Sequence, residues 1–197
     1  MAARTTLTSD PLDILLAHDD WATRMLLERC RPLTRDQFHK RYDIGMGSLH
    51  DNLTHIVGVY RRWTDRIDGR PLRPALSPVP GRPDIRHDAK DRTPDELLAL
   101  HGQAVPDLRA VVAKWRATPD GLASLVHPEW PRKEGELNRY TFTRGCCLTH
   151  VCSHGTYHRA QCVNMMRHLN APGLSDDLPD PSVIDWQAET ESPPVPV

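Results

Sequence analysis

Residues 143–169, TRGCCLTHVCSHGTYHRAQCVNMMRHL, decide the fold. Cys147, Val151, His154, His158, Cys162, Met165 and Leu169 are separated by four, three, four, four, three and four residues. That spacing places them on one face of an α-helix, one above another. The stretch predicts a helix from Thr143 to Leu169 whose inward face carries two histidines among apolar side chains. Beyond Asn170 the chain turns rich in proline and aspartate. A packed helix does not continue there, and residues 171–197 read as an extended or partly disordered tail.

Three further helices are expected upstream. The first spans Asp10 to Arg31, with Asp10 as N-cap and Pro11 at the first helical position. Leu12, Leu15, Leu16, Ala22 and Leu26 recur at helical spacing, and Pro32 stops it. The second spans Ser48 to Asp68 after a Gly45-Met46-Gly47 loop. Leu49, Leu53, Ile56, Tyr60, Trp63 and Ile67 make its stripe, and Gly69 closes it. The third spans Thr93 to Thr118, opened by Thr93-Pro94-Asp95-Glu96, an N-cap, an N1 proline and a capping-box glutamate. Pro106 within it predicts a bend. Between the second and third, five prolines in residues 70–92 exclude regular structure and imply a long crossover. Leu122–His127 and Leu137–Thr143 suit a short hairpin. Four amphipathic helices define an all-α, four-helix bundle over residues 1–170, followed by the 171–197 tail.

Composition narrows the function. Among 197 residues, 25 Lys and Arg face 26 Asp and Glu, a formal net charge of -1. That balance gives no electrostatic basis for nucleic acid or an anionic membrane as partner. Arg61, Arg62 and Arg66 alternate with acidic neighbours and read as a solvated helix face. No run approaches the roughly 20 apolar residues of a membrane span, and Met1–Asp10 lacks the apolar core of a signal peptide. Five cysteines, four of them crowded into one segment without a CxxC pair, fit reduced thiols and a cytoplasmic location.

Eleven histidines are many for this length. His154 and His158 lie one turn apart, placed to chelate one metal ion as the helix-borne pair of HExxH proteins does. Here the motif is HGTYH, so no built-in glutamate base is present. A hydrogen-bonded pair without metal is the competing reading. Two buried neutral imidazoles need partners for both ring nitrogens, and a shared ion satisfies one on each. A third ligand should come from a facing helix. His50 and His55 flank the stripe of the second helix on opposite sides, and periodicity does not choose between them. His18 and His150 are further candidates. His39, His87, His101, His127 and His168 read as surface or loop residues.

The segments LLAHDDWATRMLL (Leu15–Leu27), GSLHDNLTHIVGVYRRW (Gly47–Trp63) and HVCSHGTYHRAQ (His150–Gln161) resemble the DinB-like (DinB/YfiT-like) family of metalloenzymes over nearly all of residues 10–170. The resemblance implies an up-down-down-up bundle, consistent with the long crossover. It implies a metal held by His55, His154 and His158, and it is this likeness that selects His55 over His50. Two departures stand out: Tyr60 occupies a position where the family often has glutamate, and Tyr157-His158-Arg159-Ala160-Gln161 replaces HHRGQ. The likeness further implies a homodimer and a role in stress response.

Three neutral imidazoles leave a coordination position open, which leans towards catalysis. Imidazole suits Zn or Ni first, with Fe or Mn as further options. Similar family members transfer low-molecular-weight thiols, so the leading expectation is a metal-dependent thiol S-transferase acting on small electrophiles. A metal-dependent hydrolase and a non-catalytic metal-binding protein are the alternatives. Cys147, Cys152 and Cys162 read as small buried hydrophobes, with Cys162 nearest to a ligand role. Trp21 and Trp63 read as core or rim aromatics. Arg159 reads equally as an anchor for an anionic substrate and as one half of a surface ion pair.

Overall fold

In a computed structural model, residues 7–79, 84–131, 137–169 and 182–191 are described. Five long or short helices precede a sixth near the C-terminus: α1 (Pro11–Cys30), α2 (Arg35–His39), α3 (Leu49–Asp68), α4 (Pro94–Arg116), α5 (Arg144–Leu169) and α6 (Val183–Thr190). Two small antiparallel pairs join α4 to α5. β1 (Leu125–Val126) pairs with β4 (Phe142–Thr143), and β2 (Glu129–Pro131) pairs with β3 (Leu137–Arg139). Leu125 faces Thr143 and Val126 faces Phe142, within the two expected hairpin segments. The chain is a helical bundle.

Helix starts follow local chemistry. The Asp10 carboxylate accepts from the amides of Leu12 and Asp13. Ser48 Oγ accepts from Asp51 N, and Thr93 and Glu96 form a reciprocal capping box. Gly69 ends α3 in the left-handed region at φ 74°, a conformation that costs glycine least. α4 is assigned as one helix through Pro106.

The four long helices pack as a ring: α1 and α3 each contact both α4 and α5. Two apolar cores result. One gathers Leu26, Phe38, Leu53, Ile56, Leu97 and Met165; the other gathers Leu16, Trp63, Ile67, Leu108, Val112 and Val151. Leu53 is fully buried, and truncating such a leucine to alanine costs about 2–5 kcal/mol. Near the junction of the two cores, each long helix carries buried or half-buried polar groups. These are His18 and Asp19 on α1, His55 on α3, His101 on α4, and His154, His158 and Arg159 on α5. This polar layer contains the candidate site residues.

Several expectations need correction. The tail is not wholly extended: Ser182 caps α6, Trp186 is buried, and α6 packs on α1. Gln187 Nε2 donates to the Thr8 carbonyl at 3.1 Å, and Thr8 N donates to Glu191 Oε2 at 2.9 Å. A short helix of this kind is held by packing rather than propensity. α2 was not expected. It is opened by a Thr34–Gln37 capping box and anchored by buried Phe38. The described residues of the crossover are irregular but fastened. Ala75 bridges to His87, Leu76 enters a core, and buried Arg92 donates to the carbonyls of Leu76 and Asp88.

Candidate metal centre

α3 and α5 are neighbours, and their facing sides bring His55, His154 and His158 together. One nitrogen from each ring lies within 4.8 Å of the others. Ring centroids are 4.9 Å apart for His55 and His154, 4.8 Å for His55 and His158, and 4.5 Å for His154 and His158. His55 Nε2 and His154 Nε2 approach to 3.1 Å. Donor atoms of a tetrahedral ion with bonds near 2 Å sit about 3.3 Å apart, so that spacing suits a shared cation.

His158 is oriented from behind. Its Nδ1 lies 2.7 Å from Gln161 Oε1 and 3.1 Å from Asn52 Oδ1, both acceptors. The Nδ1–H therefore donates to the two amide oxygens and leaves the Nε2 lone pair for the cluster. Asn52 is itself fixed: its Nδ2 donates to Ser48 O at 2.8 Å. Gly45, at φ 53°, completes the support. A Cβ there would collide with Gln161 Oε1 and Asn52 Oδ1.

Burial keeps the rings neutral. It lowers His55 to about 4, with His158 adding to the effect. Burial, then His55 and His158, lower His154 to about 3. Burial also lowers His158, against the opposing hydrogen bond that His158 donates to Gln161. His154 Nδ1 is buried without a hydrogen-bond partner. Neutral imidazoles with lone pairs at near-ligand spacing fit a divalent cation.

The other histidines separate. His50 points away from this cluster, with Nδ1 on Asp51 Oδ1 at 2.9 Å. His150 lies one turn before His154, edge-on to Trp63 at 4.9 Å. His18 is buried and tilted against Trp21. His101, expected at the surface, is fully buried; its Nε2 lies 3.1 Å from Asp20 Oδ1. Its place in the polar layer was missed because Asp20 is 81 residues away in sequence.

Arg159 is neither a surface residue nor exposed to a substrate. It is 1% exposed and forms an ion pair with Asp19 Oδ1. Its guanidinium also donates to Thr23 Oγ1 at 3.1 Å and Thr156 Oγ1 at 2.9 Å. The Arg61–Arg66 face is not solvated as expected. Burial, with Arg62 adjacent, lowers Arg66 to about 10. Arg62 and Arg66 line a cavity of about 900 Å³ that reaches His55, with Arg70 and Arg144 on its walls. A second cavity of about 350 Å³ is lined by Trp63, Tyr140, Phe142, Cys146, Cys147 and His150. Trp63 borders both. Burial pushes the thiols up, Cys147 to about 11 and Cys152 and Cys162 to about 12. They are protonated and serve as small packing groups.

Asn52 and Gln161, which accept from His158, are residues of the candidate site that the sequence reading did not single out. Gln161 stands three after His158, a helical neighbour, and that spacing was the available signal. Fold and site together define a helical bundle with a histidine group able to hold a metal ion. The sequence model of the DinB family matches residues 5–189, nearly the whole chain and all but the last residue of α6, and the chain belongs to the DinB family. A comparison with curated proteins finds no match. No helix among the described residues is long and apolar enough to cross a membrane.

Proposed function

We propose that His55, His154 and His158 hold one divalent metal ion, with Zn or Ni preferred, and that the centre serves thiol S-transfer to small electrophiles. The observation that carries the metal assignment is the 3.1 Å approach of two neutral imidazole nitrogens, with His158 turned towards them by Gln161 and Asn52. A divalent ion held there supplies Lewis acidity, which favours the thiolate form of a coordinated thiol at neutral pH.

The chain's own residues supply the rest. Buried His55 and His154 stay neutral and act as ligands rather than acids. The Gln161–His158 hydrogen bond fixes which nitrogen of His158 faces the ion. Arg62 and Arg66 on the wall of the cavity beside His55 suit a reactant bearing an anionic group. The aromatic cavity beyond Trp63 suits an apolar portion. In the transfer, the thiol gives its proton to solvent water, its sulfur lone pair forms a C–S bond, and the electrophile's leaving group departs with its bonding electrons.

The experiment is metal analysis of untagged protein, then titration of a small thiol into Co(II)-substituted protein. A sulfur-to-cobalt charge-transfer band, absent in His154→Ala, supports the proposal. No metal in wild type after loading with Zn, Ni, Fe and Mn rules out the centre. A metal that binds, shows no thiol band, and hydrolyses esters without thiol would replace transfer with hydrolysis.

A further inference from the structure

A second group of candidate ligands lies apart from the first. His39 ends α2, His50 sits in the first turn of α3, and Asp91 closes the crossover just before α4. The His39 and His50 rings stack at 4.3 Å between centroids, 25° from coplanar. His39 Nε2 lies 2.8 Å from Asp91 Oδ1, and His50 Nε2 lies 3.9 Å from the same oxygen. All three donor atoms fall within 4.8 Å of one another. The two separations bracket the roughly 3.3 Å between donors of a tetrahedral ion.

The surroundings prepare these atoms for a cation. Asp51 Oδ1 takes the Nδ1–H of His50 at 2.9 Å, which leaves the Nε2 lone pair turned to Asp91. A carboxylate behind a histidine is the usual support of a histidine ligand. Arg35 holds Asp91 through Oδ2, at 2.8 Å from Nε and 2.7 Å from the terminal nitrogen. Oδ1 stays with the imidazoles. Phe38 packs edge-on against both rings, at 5.8 and 5.6 Å. Among the described residues, the Arg92 amide competes for the His50 lone pair at a long 3.4 Å.

We infer that His39, His50 and Asp91 form a second divalent-metal site, suited to zinc, which clips the end of the crossover to α2 and the start of α3. Two imidazoles and a carboxylate are zinc donors, and three protein ligands leave one position to water. On binding, the hydrogen bond from His39 Nε2 to Asp91 gives way to coordination, and the ring proton moves to Nδ1. The assignment is independent of the first centre. His50 precedes His55 by five residues, about 7.5 Å along the helix axis and on another face.

The test is zinc stoichiometry of untagged full-length protein, loaded with Zn(II), desalted and measured by elemental mass spectrometry. Wild type is expected to hold two equivalents, Asp91→Asn one, His154→Ala one, and the double variant none. Asp91 is an exposed loop residue, so Asp91→Asn keeps the fold while weakening the ligand. As a second readout, added zinc is expected to raise the Tm of His154→Ala but not of His154→Ala/Asp91→Asn. A single equivalent lost with Asp91→Asn and kept in His154→Ala would sustain this site and sink the first. Two equivalents retained in Asp91→Asn, or one equivalent abolished by His154→Ala, overturns the second site.

Discussion

His158 and Arg159 are adjacent on α5 yet belong to two different kinds of buried polar structure. Arg159 turns to α1 and finds its partners within the protein: the Asp19 carboxylate, Thr23 and Thr156. His158 turns to α3 and meets two more imidazoles, one of which keeps a buried nitrogen without a partner. The first arrangement brings its own opposite charge, although Asp19 Oδ2 is left without a hydrogen-bond partner. The second gathers imidazole nitrogens within reach of one shared cation. Converging lone pairs with no shared charge between them are where a cation's binding energy can act.

The sharpest way to break this contrast is to remove each side in turn from metal-free protein. Arg159→Leu leaves the Asp19 carboxylate buried without its cation, and a loss of about 3–5 kcal/mol in unfolding free energy is expected. His154→Ala removes a ring that is itself poorly satisfied, so metal-free stability should shift far less. Urea unfolding of the two variants decides it. Equal losses would mean that the histidine group is structural in the same sense as the ion pair. An Asp19→Leu/Arg159→Leu double variant should recover much of the loss, because no charge then remains buried.

A smaller effect sharpens the same comparison from the histidine side. Gln161→Ala removes the acceptor that fixes His158, and loss of such a support weakens metal affinity by about 10–100-fold. Gly45→Ala should act in the same direction, since its Cβ displaces Gln161 and Asn52 and its backbone is strained at positive φ. Competition against a chelator of known zinc affinity measures both. Unchanged affinity in Gln161→Ala would detach His158 from the proposed centre.

How far the sequence foretold this division depended on the range of each interaction. Asp10, Ser48 and the Thr93–Glu96 box were readable because caps act within four residues. His154 and His158 were readable for the same reason, being one turn apart. The choice of His55 over His50 rested on family resemblance, because both flank the α3 stripe and only the packing of α3 on α5 separates them. Arg159 was misjudged because its partner Asp19 lies 140 residues away on a facing helix. Arg62 and Arg66 were misjudged because acidic neighbours in sequence do not reveal a cavity wall in space. α6 escaped notice because eight residues hold a helix only when Trp186 packs down on α1.

The smallest predicted effect, pH dependence, also separates the two structures. His55 and His154 are pushed down to about 4 and about 3 in the folded chain, chiefly by burial, from an ordinary value of 6.5. The unfolded chain therefore binds more protons below pH 6.5. Stability is full above that value and falls as pH drops towards the folded-state values. Between pH 7 and 6 the two rings together should cost metal-free protein on the order of 1 kcal/mol. His154→Ala should make the profile shallower, since one of the two rings no longer titrates. Arg159→Leu should lower the whole curve and leave its slope over this interval unchanged, because a guanidinium does not titrate there. Bound zinc should steepen the fall, as each ligand must stay deprotonated. A metal-free stability profile flat from pH 7 to 5 would mean that the two imidazoles are as well solvated folded as unfolded, and the contrast with Arg159 would dissolve.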